Sequence, residues 1–95
     1  MNIRYHIDGD TGLPHIYRHN VSENEVEDVL RGPLENRPGD GSSRVLIGQT
    51  RQGRYLRVIV SIDWDGRGVF VITAYGLRGK PLKALRRRMK KRGRI

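Results

Sequence analysis

The stretch Tyr55-Leu-Arg-Val-Ile-Val-Ser-Ile-Asp63, followed by Trp64-Asp65-Gly66 and then Gly68-Val-Phe-Val-Ile-Thr-Ala-Tyr75, decides the fold. Two runs rich in β-branched and aromatic residues flank a short Asp/Gly turn, which is the pattern of a β-hairpin. A three-residue loop with Gly66 left-handed is a common hairpin form, and it determines which side chains share a face. It places Leu56, Val58, Val60 and Ile62 with Phe70, Ile72 and Ala74 on one apolar face. Tyr55, Arg57, Ile59 and Ser61 then share the other face with Val69, Val71, Thr73 and Tyr75. A two-residue Asp-Gly loop would reverse the parity and send Tyr75 to the apolar side. The first register is preferred because its apolar face is complete.

Upstream of the hairpin, Arg44–Thr50 is expected to be a strand, joined to Tyr55 through the tight turn Arg51-Gln52-Gly53. Before it, Asn36-Arg-Pro-Gly-Asp-Gly-Ser-Ser43 has loop composition, so residues 35–43 are expected to be mobile. The best-marked helix is Ser22–Arg31. Ser22 and Glu25 fit the S-x-x-E capping box, and Val21 and Val26 occupy the hydrophobic-staple positions. Val26, Val29 and Leu30 give it one apolar face, and Gly32-Pro33 ends it. Nearer the N-terminus, Asn2–Ile7 alternates as a half-buried strand, Asp8–Gly12 turns, and Pro14 opens a short helical turn through Arg18.

At the other end, Pro81–Arg92 reads as a helix that docks by a narrow stripe of Leu82, Leu85 and Met89. The expected order is β-α-β-β-β-α, an α+β domain whose small antiparallel sheet carries its helices on one face. A chain of 95 residues fits one domain, residues 1–95, with 78–95 as its basic helix and tail.

Charge separates these parts. The chain carries 19 Lys and Arg against 10 Asp and Glu, a net charge of +9. Ten of the cations follow Leu77 and no acid follows Asp65, so the first 77 residues have a net charge of −1. A near-neutral body with a cationic end points to a polyanion, nucleic acid before an acidic protein or membrane surface. With no cysteine, disulfides, Cys-ligated zinc and thiol nucleophiles are excluded. No apolar run is long enough to span a bilayer and Met1–Asp10 has no signal-like core, so a cytoplasmic setting is expected.

The chemistry is expected where the last strand meets the basic helix. Tyr75, Arg78 and Lys80 leave the strand together, with Arg57 on the neighbouring strand and Arg54 near in sequence. Such a cluster can bind a phosphodiester, and it can cleave RNA without a metal by removing the 2′-OH proton and stabilising the phosphorane. His15 and His19 have i, i+4 spacing, but no local Asp, Glu or Cys completes a metal site, and capping or surface roles fit them better. Asp63 and Asp65 read as turn formers. Gly39-Asp-Gly41 and Gly76-Leu-Arg-Gly79 lack the spacing of a phosphate loop. No metal and no cofactor is expected.

The segment His15-Ile-Tyr-Arg-His-Asn-Val-Ser-Glu-Asn-Glu-Val-Glu-Asp-Val-Leu30 resembles the KHGVS-x-EEA-x-x-V start of BrnT-like toxins and of a sister group of small uncharacterised domains. The spacing of Arg44–Thr50, Tyr55–Val60 and Val71–Tyr75 before a basic helix agrees. The resemblance implies a RelE-type fold and a metal-independent ribonuclease toxin, neutralised by a cognate antitoxin. Arg18-His19 stands at the family's basic residue and His, and Arg57 at a strand position where a basic residue is common. Tyr75 replaces the Arg usual in BrnT-like toxins and is nearer the sister domains. The leading expectation is therefore a ribonuclease toxin acting through Arg57, Tyr75, Arg78, Lys80 and His19. RNA, free or on the ribosome, would be held by Arg54 and by Lys83, Arg86, Arg87, Arg88, Lys90, Lys91 and Arg92. The alternatives are a non-catalytic RNA- or ribosome-binding module and a domain whose basic helix docks on an acidic protein.

Overall fold

The structure, a computed structural model, describes residues 2–92; Arg94 of the expected basic tail lies outside the described residues. The elements are β1 (Asn2–Tyr5), a 3-10 turn (His15–His19), α1 (Glu23–Arg31), β2 (Glu35–Pro38), β3 (Ser43–Gln49), β4 (Tyr55–Ile62), β5 (Gly68–Gly76) and α2 (Gly79–Arg92). The α+β class and the order of the expected elements stand, with one strand added. The segment expected to be a mobile loop contains β2, which pairs antiparallel with β3 from Glu35 opposite Ile47 to Pro38 opposite Arg44.

The five strands form one sheet in the order β1-β5-β4-β3-β2. It is mixed, not antiparallel, because β1 runs parallel to β5. The long connection through the 3-10 turn, α1 and three strands lets the chain leave β1 and return alongside it in the same direction.

The hairpin also differs from the simple register. Asp63 N–H bonds Gly68 C=O, so the loop has four residues, with Gly66 left-handed at φ 72°. Ile62 therefore faces Val69 and Val60 faces Val71, which turns Val69 and Val71 into the core and Phe70 out of it. A β-bulge between Ile59 and Val60 of β4, where β5 carries Ile72 as its extra residue, restores the expected parity. Beyond it Val58 faces Ala74 and Arg57 faces Tyr75, on the expected faces but two residues along β5 from the Ile72 and Thr73 that a three-residue loop would pair with them.

The helices cover opposite faces of the sheet, not one. Adjacent strand residues point to opposite sides, and Leu46 belongs to the core under α1 whereas Ile47 belongs to the core under α2. The larger core unites Ile16, Val21, Val26 and Val29 with Leu56, Val58, Val60 and Val71, each worth about 1.5–3 kcal/mol when fully buried. Its helix starts as expected: Ser22 Oγ accepts from the Glu25 N–H at 3.2 Å, and the Ser22 N–H donates to Glu25 Oε1 at 3.0 Å. The second core is smaller, with Leu82, Leu85 and Met89 of α2 on Val45, Ile47, Tyr55 and Leu77.

Candidate nucleic-acid interface

Arg57 and Tyr75 are cross-strand neighbours on the α2 side of the sheet. The Arg57 guanidinium lies 5.9 Å from the centre of the Tyr75 ring, and its Nη1 donates to the Tyr75 hydroxyl at 3.4 Å. Its Nε is buried and has no hydrogen-bond partner. A buried donor left open is rare in a native fold and marks a position able to take an acceptor.

The 3-10 turn occupies the sheet edge beyond the end of β1, and its i, i+4 histidines look onto the same face. The His19 ring is 6.0 Å from Tyr75 and 5.2 Å from His15, while His15 is 5.7 Å from His6, all edge-to-face. His6 stacks on Phe70 at 6.3 Å. Sequence spacing suggested surface or capping roles for His15 and His19; both reach the surface, and with His6 they form one row that ends on Tyr75. His15 is fixed from behind by Asp8, whose carboxylate lies 3.0 Å from Nδ1 and also accepts from Arg18. Arg18 holds the carboxyl groups of Asp8 and Asp10 below their ordinary range. Among the described residues no three His, Asp or Glu side chains are grouped to hold a metal ion.

Arg54 belongs to the framework of this site. Its guanidinium donates to the Asn20 carbonyl at 2.7 Å and to both Glu25 oxygens at 3.2 Å, which ties the end of the 3-10 turn to the start of β4. It lies across Gly76, where an added Cβ would stand 3.2 Å from its Nη2. Arg78 and Lys80 are exposed, and neither donates a side-chain hydrogen bond to another described residue. Of the expected five residues, His19, Tyr75 and Arg57 are together, and Arg78 and Lys80 are exposed at the strand-to-helix link with no hydrogen bond to those three.

The cations of α2 divide by helical position. Lys83, Arg86, Arg87, Lys90 and Lys91 recur at three- and four-residue spacing, and all are exposed. Arg88 and Arg92 lie on the docked side with Leu85 and Met89. There Arg88 Nε and Nη2 reach Glu35 at 2.7 and 3.0 Å, and Arg92 Nη2 reaches it at 2.9 Å. Arg92 also donates to the Leu34 carbonyl at 3.1 Å, and Arg37 adds a third cation to Glu35. Only 3% of the Glu35 side chain is exposed, and hydrogen bonds from Arg88 and Arg37 pull its pKa down to about 2 despite burial. Sequence reading missed this carboxylate. The available signal was the pair of arginines four apart on the helix face that also carries the leucines.

A cleft of about 670 Å³ lies beside α1 and the Arg51–Gly53 turn. Its arginines are matched to carboxylates, Arg54 to Glu25 at 3.2 Å and Arg51 to Asp28 at 3.5 Å, so it offers little to an anion. No helix among the described residues is long and apolar enough to cross a membrane.

A family profile described as "Domain of unknown function (DUF4258)" matches residues 15–76, well over half of the chain. The chain belongs to the DUF4258 family. The DUF4258 segment begins at His15 and closes at the end of β5, so it contains His15, His19, Arg54, Arg57 and Tyr75. It stops short of Arg78, Lys80 and the whole of α2. The matched family is uncharacterised, and the match carries no link to BrnT-like or RelE-type proteins. No curated protein and no solved structure matches the chain.

Proposed function

We propose that this DUF4258 domain cleaves RNA without a metal ion and serves as the toxin of a type II toxin–antitoxin pair. The observation that carries this reading is the line of imidazole, phenol and guanidinium formed by His19, Tyr75 and Arg57 beside a cationic helix. RNA cleavage needs a base for the ribose 2′-OH proton, positive charge on the phosphorane and an acid for the leaving 5′-oxygen. His19 takes the 2′ proton, and the 2′-oxygen bonds to phosphorus as the bond to the 5′-oxygen breaks. Tyr75 gives its proton to the leaving oxygen and recovers one from the protonated His19. Arg57 holds the phosphorane oxygens through its Nη groups, while Arg78 and Lys80 steer the flanking phosphates. The products are a 2′,3′-cyclic phosphate and a 5′-hydroxyl, and no water is consumed.

The resemblance to BrnT-like toxins and to the RelE-type fold supports the same class. It also implies a cognate antitoxin that covers the basic surface. The test is incubation of purified protein with RNA in the presence of a chelator. Fragments with 5′-hydroxyl ends are expected, with rates falling about 100-fold or more in His19→Ala and Tyr75→Phe while binding persists. Intact RNA, with unimpaired growth on induced expression, overturns the proposal.

The exposure of Arg78 and Lys80, which make no side-chain hydrogen bond to the ring row, favours a second reading: a non-catalytic RNA- or ribosome-binding module. RNA would then be retained intact and the protein would sediment with ribosomes.

A further inference from the structure

The α2 core leaves much of its own sheet face uncovered. Ile59, Ser61, Phe70 and Thr73 lie outside it and are half-exposed, on the same side as Arg57 and Tyr75. This open region has rings at both ends. Tyr75 with His19 stands at one, Phe70 with the stacked His6 at the other. Past Phe70, at the tip of the same hairpin, Trp64 is 98% exposed, an indole that contributes nothing to the core. Arg57 lies within the region, Arg4, paired with the Asp63 carboxylate, borders it opposite Phe70, and α2 covers the other part of the same face.

We infer that the uncovered half of this sheet face is a platform for single-stranded RNA, whose bases stack along β5 from Tyr75 through Phe70 to Trp64. The inference rests on the RNA reading above and narrows its substrate to unpaired strands. Strand geometry puts Tyr75 and Phe70 roughly 15 Å apart, room for the two or three bases that open RNA-binding sheets stack on their aromatic residues. Stacking requires bases splayed out of a helix, which a duplex does not offer. Charge complementarity supports the same occupant, because Arg57 stands beside Tyr75, the exposed Arg67 follows Trp64 in the hairpin loop, and the cationic helix lies over the same face of the sheet.

The probe is a 2′-O-methylated oligouridine, which cannot be cleaved, against a duplex of equal length, read by anisotropy and by the fluorescence of Trp64, the only tryptophan. The single strand is expected to bind at least about tenfold more tightly than the duplex and to quench Trp64. His6→Ala and Trp64→Ala, both at exposed positions, should each weaken single-strand binding about tenfold at unchanged Tm. Phe70→Leu, which keeps an apolar side chain at that half-buried position, should do the same. Equal affinity for the duplex, or no quenching at saturating oligouridine, overturns the platform. Stacked binding without cleavage of ordinary RNA removes the ribonuclease and leaves the platform standing. Cleavage with unchanged KM in all three variants does the reverse.

Discussion

An arginine in a central strand must find partners for five N–H donors, and Arg57 does so incompletely. Its Nη1 has the Tyr75 hydroxyl at 3.4 Å and its ring as a cation–π partner, while Nε is buried and open. Leaving such a donor unpaired costs about 1–3 kcal/mol. An apolar side chain of similar length would fit a fold, and the retained cation fits a binding site. Arg57→Met is therefore expected to raise stability by about 1 kcal/mol, roughly 4–8 °C in Tm for a domain of this size, while abolishing RNA cleavage. Inorganic phosphate should stabilise the parent and leave the variant unmoved. Thermal melts with and without phosphate decide it, and a destabilised Met variant would mean that Arg57 serves the fold. Sequence pattern put Arg57 and Tyr75 on one face through strand parity; their direct pairing comes from the four-residue loop and the bulge together. The pattern left the imidazole row unread, because it does not show that the Asp8–Gly12 turn closes a hairpin: the Ile7–Pro14 bridge and the His15 N–H donating to the His6 carbonyl at 2.8 Å set His6 beside His15.

At the scale of elements, the weakly docked one is the one expected to carry RNA. α2 rests on Leu82, Leu85 and Met89, and a buried carboxylate on β2 reinforces that stripe by holding Arg88 and Arg92. The folded pKa of Glu35, about 2, lies below its ordinary value of 4.5. The stability it contributes is complete above about pH 4.5 and is lost as pH falls toward 2. Glu35→Gln should lower Tm at neutral pH by the equivalent of about 2 kcal/mol and flatten the loss of Tm between pH 5 and 3. Asp8 and Asp10, both held low by Arg18, keep part of that acid sensitivity in the variant. Melts across that range test it, and parallel curves for the two proteins would remove the clamp. The stripe of α2 was legible because helical spacing is a local property. β2 was not: Glu35-Asn-Arg-Pro38 has neither alternation nor β-branched residues, and it is a strand only because β3 offers it an edge. The bulge was hidden for a related reason, since Val69–Ile72 is apolar at every position and either parity buries something.

Across the whole molecule, the +9 charge is a separation and not an average. Glu23, Glu25, Glu27 and Asp28 lie on α1 over one face of the sheet, and the free cations of α2 lie over the other. A polyanion is therefore turned toward the α2 side, which also carries His19, Tyr75 and Arg57. Six of the α2 cations, Lys80, Lys83, Arg86, Arg87, Lys90 and Lys91, are free of the Glu35 clamp, and the five beyond Lys80 form the exposed stripe that sets the salt dependence. Five phosphate contacts predict that log K for a single strand falls with log salt at a slope of about −3.5. Replacing Lys90 and Lys91 together by Gln removes two contacts and should bring the slope to about −2 at unchanged Tm. Arg88→Gln should do the opposite, lowering Tm through Glu35 and leaving the slope near the parent value. Binding isotherms at several salt concentrations for the three proteins separate the two faces of one helix. A slope that shifts with Arg88 and ignores Lys90 and Lys91 would place the nucleic acid on the clamped side, where it would have to displace a buried carboxylate to bind.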